Sequence, residues 1–66
     1  MLIVNGKPLN LEPMPQTVQQ LLDQLNVSHR RLIVERNEEI VDAHRYENER
    51  LSPGDRIEIV HFVGGG

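Results

Sequence analysis

The residues with the most chemistry to offer are the last three, Gly64-Gly65-Gly66, and that chemistry belongs to the terminal carboxylate. A free carboxylate does not react with sulfur or amine nucleophiles, because oxide would have to leave. Adenylation with ATP converts it into an acyl phosphate anhydride, from which AMP departs when a nucleophile attacks the carbonyl carbon. Glycine suits such a terminus because it has no Cβ to obstruct a narrow tunnel in an activating enzyme. Ordering glycine also costs backbone entropy, so residues 64–66 are expected to form a flexible tail on a folded domain of residues 1–63. Fully extended, three residues reach about 10 Å beyond whatever precedes them.

No side chain competes for this role. There are no cysteines, so the chain can form neither a side-chain thioester, a persulfide nor a zinc–thiolate site. The histidines, His29, His44 and His61, match no ligand spacing, and no metal site is expected. Glu35, Glu38, Glu39 and Asp42 are acidic around a turn, but a small hairpin offers no cleft to shift a carboxyl pKa. They read as a solvated face with a possible docking role. No arrangement of serine and histidine resembles a nucleophile elbow. The side chains therefore point to no enzyme, and no bound cofactor is expected.

At 66 residues there is room for one small domain, and a chain of this length buries only about 60% of its unfolded surface. The formal net charge of −3 argues against nucleic acid as a partner, and with only Tyr46 and Phe62 as aromatics a stacking platform for single strands is missing. Met1-Leu2-Ile3-Val4 is too short an apolar run for a signal peptide or a membrane span, so a cytoplasmic location is expected.

The elements that must carry the tail are legible in order. Leu2-Ile3-Val4, Asn5-Gly6 and Pro8 to Leu11 read as a hairpin, because Asn-Gly supplies two residues that tolerate positive φ. Pro8 cannot donate to a ladder and belongs at a strand start or a sheet edge. Glu12-Pro13-Met14-Pro15 is a loop. Thr17 opens a helix with Val18, Leu21, Leu22 and Leu25 on one face, a capping box with Gln20, and a stop at Asn26. Leu32 to Arg36 and Glu39 to Val41 are strands about a turn at Asn37-Glu38. Residues 42–49 are charged and irregular, with a helical turn around His44 to Glu47. Leu51 to Asp55 is a turn feeding a last strand.

This order predicts an α+β roll of the β-grasp type: a small mixed sheet with one main helix packed across it. The last strand enters the middle, parallel to the first, and the helix is expected to cover Ile3, Val34, Ile57 and Ile59. Along that strand Ile57 and Ile59 point to one face, while Glu58, Val60 and Phe62 point to the other. Val60 and Phe62 are then either covered by a second layer or exposed for a partner.

Leu51-Ser52-Pro53-Gly54-Asp55 running through Ile57-Glu58-Ile59-Val60 to Gly64-Gly65-Gly66 resembles the end of the sulfur carrier proteins of thiamine biosynthesis, the ThiS family. Val4-Asn5-Gly6-Lys7, Thr17-Val18 with Leu21-Leu22, and Val34-Glu35-Arg36-Asn37 are similar to that family as well, so the likeness covers the whole chain. Three terminal glycines rather than two are a small departure. The resemblance implies a ubiquitin-like β-grasp fold and a cycle in which a ThiF-type enzyme adenylates the Gly66 carboxylate with ATP and magnesium. Sulfur from a cysteine desulfurase then replaces AMP, leaving a thiocarboxylate. The thiazole synthase ThiG takes that sulfur for the thiazole ring. It implies further that Gly64, Gly65 and Gly66 bind in the partner enzyme and that Val60 and Phe62 dock on it.

Three other readings share parts of this pattern. A molybdopterin-synthase carrier has the same fold and activation chemistry but is generally longer. A protein modifier would pass the activated carboxyl to a lysine amine. A plain β-grasp binding module would make no use of its glycines.

Overall fold

The computed structural model describes residues 1–62. Strand β1 (Leu2–Val4) and strand β2 (Lys7–Leu9) form an antiparallel hairpin with Leu2 opposite Leu9, Ile3 opposite Pro8 and Val4 opposite Lys7. Asn5 and Gly6 carry φ values of 50° and 81°, so both turn residues are left-handed, the backbone twist that a two-residue hairpin needs. Pro8 lies on the edge strand, where no neighbour asks for its missing N–H.

Helix α1 (Val18–Gln24) starts where the capping residues place it. The Thr17 hydroxyl accepts from the Gln20 N–H at 3.2 Å, and the Gln20 side chain accepts from the Gln16 N–H at 2.8 Å. The reciprocal cap thus reaches back to Gln16, one residue further than the expected partner. The helix ends in a Schellman arrangement: the Asn26 N–H donates to the Asp23 carbonyl at 3.1 Å and the Val27 N–H to the Leu22 carbonyl at 3.0 Å. Asn26 takes the left-handed φ of 57° that this closure requires.

Strand β3 (Leu32–Arg36) and strand β4 (Glu39–Val41) form a second hairpin, again through two positive-φ residues, Asn37 and Glu38. A short 3₁₀ turn (Ala43–Arg45) follows. Ser52 to Asp55 then turns through Gly54, at φ 89°, into strand β5 (Arg56–His61). The sheet order is β2-β1-β5-β3-β4, with β5 parallel to β1 and antiparallel to β3. This is the β-grasp arrangement expected from the element order, with the last strand central.

The helix buries Val18, Leu21 and Leu22 against Leu2, Val34, Val41, Tyr46 and Ile57, while Leu25 and Ile59 pack at the margin. Each fully buried aliphatic side chain contributes about 1.5–3 kcal/mol relative to exposure. Two expectations change. Ile3 is not among the residues under the helix. The β1–β5 register sets Val4 beside Ile57, so Val4 and, two residues back, Leu2 share the Ile57 face, and Ile3 lies on the reverse. The stretch 42–49, read as charged and irregular, contributes a buried Tyr46 to the core, and its carbonyl accepts the Gln19 N–H at 2.9 Å.

Candidate docking face and the C-terminal strand

Ladder register decides which side chains accompany Val60. Ile33 is opposite Val60 and Glu35 is opposite Glu58, while Ile40 is the neighbour of Glu35 on β4. These residues, with Ile3, form the outer face of the sheet, opposite α1. Among the described residues no second layer covers it: Ile33 is 39% exposed, Ile40 68%, Val60 49% and Phe62 47%. The alternative left open for Val60 and Phe62 is thereby settled in favour of exposure. The outer face combines aliphatic and aromatic area with a pair of carboxylates, and it lies on the strand that runs towards the glycines.

The start of β5 is anchored by charge. Asp55 is buried, and its carboxylate accepts from the Arg36 Nε–H at 2.8 Å, the Ser52 N–H at 2.8 Å and the Asn37 side chain at 3.1 Å. Arg36 also meets Glu49 at 3.2 Å, and Arg45 meets the same carboxylate at 3.3 Å. Burial alone would raise the Asp55 pKa. The donated hydrogen bonds and the Arg36 charge outweigh it and hold the carboxyl below its ordinary value. Arg36 is raised in turn, chiefly by its hydrogen bond to Asp55 and against its own desolvation. Asn37 finishes the anchor: its N–H donates to the Arg56 carbonyl at 2.8 Å, and its side-chain oxygen accepts the Arg56 N–H at 3.0 Å. The network ties the β3–β4 turn, the segment before β5 and β5 itself into one rigid base.

The far end of β5 is tied from both sides. The Phe62 N–H donates to the Arg31 carbonyl at 3.1 Å on the β3 side. On the β1 side the Asn5 side chain accepts the Ile59 N–H at 2.7 Å and donates to the Ile59 carbonyl at 3.2 Å. His61 faces Leu32 in the ladder, and its ring nitrogen lies 3.1 Å from the Ser28 carbonyl oxygen.

The remaining candidates are dispersed. His29 packs edge-on to Tyr46 with ring centroids 6.1 Å apart and lies 3.8 Å from the Asp23 carboxylate; His44 sits in the 3₁₀ turn. Among the described residues no group of three or more His, Cys, Asp or Glu could hold a metal ion. The acidic stretch does not act as a unit either. Glu35 is on the outer face, Glu38 is in the turn, Glu39 pairs with Arg36 on the other face, and Asp42 precedes the 3₁₀ turn. A shallow cleft lined by Pro13, Met14, Pro15, Gln20, Asp23 and Gln24 opens on the helical layer, across the sheet from Val60 and Phe62. Gly64, Gly65 and Gly66, and the flexible tail expected there, lie outside the described residues. Ile33 and Ile40 do not stand out in the sequence, and Asn5 stands out only as a turn residue. Ile33 alternates with buried Val34, so pairing β3 against β5 would have found it.

The sequence model of the ThiS family matches residues 2–66. The chain belongs to the ThiS family. It is 46% identical, over the full length of both chains, to the sulfur carrier protein ThiS of Bacillus subtilis. A crystal structure of the thiamine biosynthesis protein ThiS from Geobacter metallireducens superposes with a TM-score of 0.84 at 33% identity, covering 98% of this chain and 97% of that one. A thiazole synthase of Paramagnetospirillum magneticum contains a segment 43% identical to 98% of this chain, which spans 20% of that enzyme. The structural match bears out the β-grasp fold read from element order and the ubiquitin-like fold that the resemblance implied. No helix among the described residues is long and apolar enough to cross a membrane.

Proposed function

We propose that this chain is a sulfur carrier of thiamine biosynthesis that acts as a co-substrate of its partner enzymes in the cytoplasm. Its likeness over full length to a named sulfur carrier carries this reading. In the cycle, the Gly66 carboxylate attacks the α-phosphorus of ATP, magnesium-bound in a ThiF-type enzyme, and pyrophosphate leaves. The outer sulfur of a persulfide formed by a cysteine desulfurase then attacks the acyl carbon and the C–O bond to AMP breaks. A thiol reductant cleaves the S–S bond of the resulting acyl disulfide, leaving sulfur in place of one carboxylate oxygen and a new disulfide on the reductant side. A ThiG-type thiazole synthase takes the sulfur from the resulting thiocarboxylate. The carrier-like segment within a thiazole synthase supports that acceptor, and it favours the thiazole branch over the molybdopterin one.

In this reading Val60 and Phe62, with Ile33 and Ile40 beside them, dock on the activating enzyme. Gly64, Gly65 and Gly66 occupy its channel, and the protein binds no cofactor itself. Glu35 and Glu58 suit a partner surface that surrounds an apolar patch with arginine or lysine. The test is intact mass before and after incubation with a ThiF-type enzyme, ATP, magnesium and a sulfur source. One sulfur in place of one oxygen, confined to the C-terminal peptide, is the expected result. An unchanged mass with competent partners would leave the chain a binding module.

A further inference from the structure

Asn5 does two jobs at once, and the second is not required by the hairpin. Its main chain takes φ 50°, the left-handed conformation of the first turn residue. Glycine would satisfy that requirement as well. The side chain, however, carries on where the main chain leaves off. The Asn5 N–H donates to the Ile57 carbonyl at 2.9 Å, as the next residue of a parallel β1 should. In an unbroken parallel ladder the Asn5 carbonyl would then accept the Ile59 N–H. The turn has swung that carbonyl away, and the side-chain amide replaces it, accepting from the Ile59 N–H at 2.7 Å and donating to the Ile59 carbonyl at 3.2 Å. One carboxamide thus stands in for a peptide group and extends β1 alongside β5 past the point where the chain itself turns back.

The clamp sits at the last residue of β5 that is held from both sides. Beyond Ile59, β5 is held only from the β3 side among the described residues, through the Ile33–Val60 and Leu32–His61 pairings, the His61 ring contact with the Ser28 carbonyl and the Phe62 bond to Arg31. A central strand held on one edge can swing about its last two-sided contact. A swing of about 10° at Ile59 would carry Phe62, three residues on, by about 2 Å. Displacements of about 1 Å in reacting groups are enough to slow a positioned reaction by about a hundredfold.

We infer that Asn5 is a positioning residue for the activation step: its side-chain clamp on both polar groups of Ile59 fixes the line along which the C-terminal segment leaves the domain. This rests on the carrier reading above. Docking and aiming are then separate functions of β5. The outer-face side chains supply the grip, and the Asn5 amide, acting on the backbone, supplies the direction.

The test compares wild type, Asn5→Gly and Asn5→Asp as substrates of a cognate ThiF-type enzyme, following pyrophosphate release as the carrier concentration is varied. Asn5→Gly keeps the turn and deletes the clamp. Its kcat should fall about tenfold or more while KM stays within about twofold, and the Ile59 amide should exchange with solvent faster. Asn5→Asp retains an acceptor for the Ile59 N–H and should recover part of the loss. Should Asn5→Gly lose its cooperative melt, a semisynthetic chain with the Ile59 amide replaced by an ester removes the same hydrogen bond without touching the hairpin, and the same fall in kcat is expected. Wild-type kcat in the folded clamp-deleted forms would overturn the inference, and so would a change confined to KM, which would make Asn5 part of the docking surface. A wild-type chain that is not adenylated at all would instead overturn the carrier reading, and this inference with it.

Discussion

Glu35 and Glu58 stand directly opposite each other on the outer face of the β3–β5 ladder, two like charges in a cross-strand pair. No salt bridge to either is present among the described residues. Such pairs destabilise a sheet by about 0.2–1 kcal/mol. Replacing Glu58 by Gln should therefore stabilise the free domain by a comparable amount, and the gain should shrink as salt screens the repulsion. Urea midpoints at low and high ionic strength measure both, and a midpoint lowered at low salt would contradict the argument. If the pair steers the carrier to a basic partner, the same substitution should slow association with the activating enzyme.

The apolar part of that face separates binding from folding. Val60 and Phe62 are about half exposed and contribute little to the core, so Val60→Asp and Phe62→Asp should retain a cooperative melt close to wild type. Binding to the activating enzyme should weaken by about tenfold or more, the loss typical of a central interface residue. Calorimetric titration against that enzyme checks the binding and thermal melts check the fold. Loss of cooperative melting in both variants would show that they support the core.

Asp55 gives the domain an acid-labile joint. Its folded-state pKa lies below the ordinary carboxylate value, because the hydrogen bonds from Ser52, Arg36 and Asn37 and the Arg36 charge overcome the opposing effect of burial. A depressed carboxyl contributes stability that is present above its unfolded pKa and is lost as pH falls through its folded one. Wild type should therefore lose stability from about pH 4 downward, the unfolded-state value for aspartate. Asp55→Asn should be less stable at neutral pH by about 2–4 kcal/mol, because it leaves Arg36 poorly compensated, and it should show a flatter profile in acid. Chemical denaturation at a series of pH values decides it, and parallel profiles for the two proteins would count against the Asp55 assignment.

What is legible in the chain is local. Asn5-Gly6, the leucine stripe from Val18 to Leu25 and the Pro53-Gly54 turn each carry their own instruction, because positive φ, helical period and proline geometry act within a few residues. Leu2-Ile3-Val4 carries no such instruction. It is apolar at every position, so a period of two cannot say which side faces the helix, and the choice is made by pairing with β5, at the other end of the chain. The same distance hides the Asn5 clamp on Ile59 and the Arg36–Asp55 pair, whose partners are unremarkable as isolated residue types. Tyr46 is hidden in a charged stretch, because one buried ring among charged and polar neighbours leaves no periodic signal. On the outer face, Val60 and Phe62 are readable from alternation in one strand, while Ile33 and Ile40 require the sheet order.

The glycines offer the sharpest separation of chemistry from fold. Every core residue, from Leu2 to Ile57, lies upstream of them, and β5 ends at His61. Deleting Gly65 and Gly66 should leave the thermal midpoint close to that of wild type, since no residue of the described core and no described hydrogen bond is removed. In a sulfur carrier the same deletion moves the reactive carboxylate back by about 7 Å and leaves it short of any site built to reach Gly66. Sulfur incorporation should then fall below detection by intact mass, with binding through Val60 and Phe62 largely kept. Substituting Gly65→Ala tests access separately from reach: the carboxylate keeps its distance, but a Cβ must pass the channel, and a large fall in adenylation with unchanged docking is expected. Full activity of Gly65→Ala would mean that the channel is wide at that point and that reach alone explains the need for the tail.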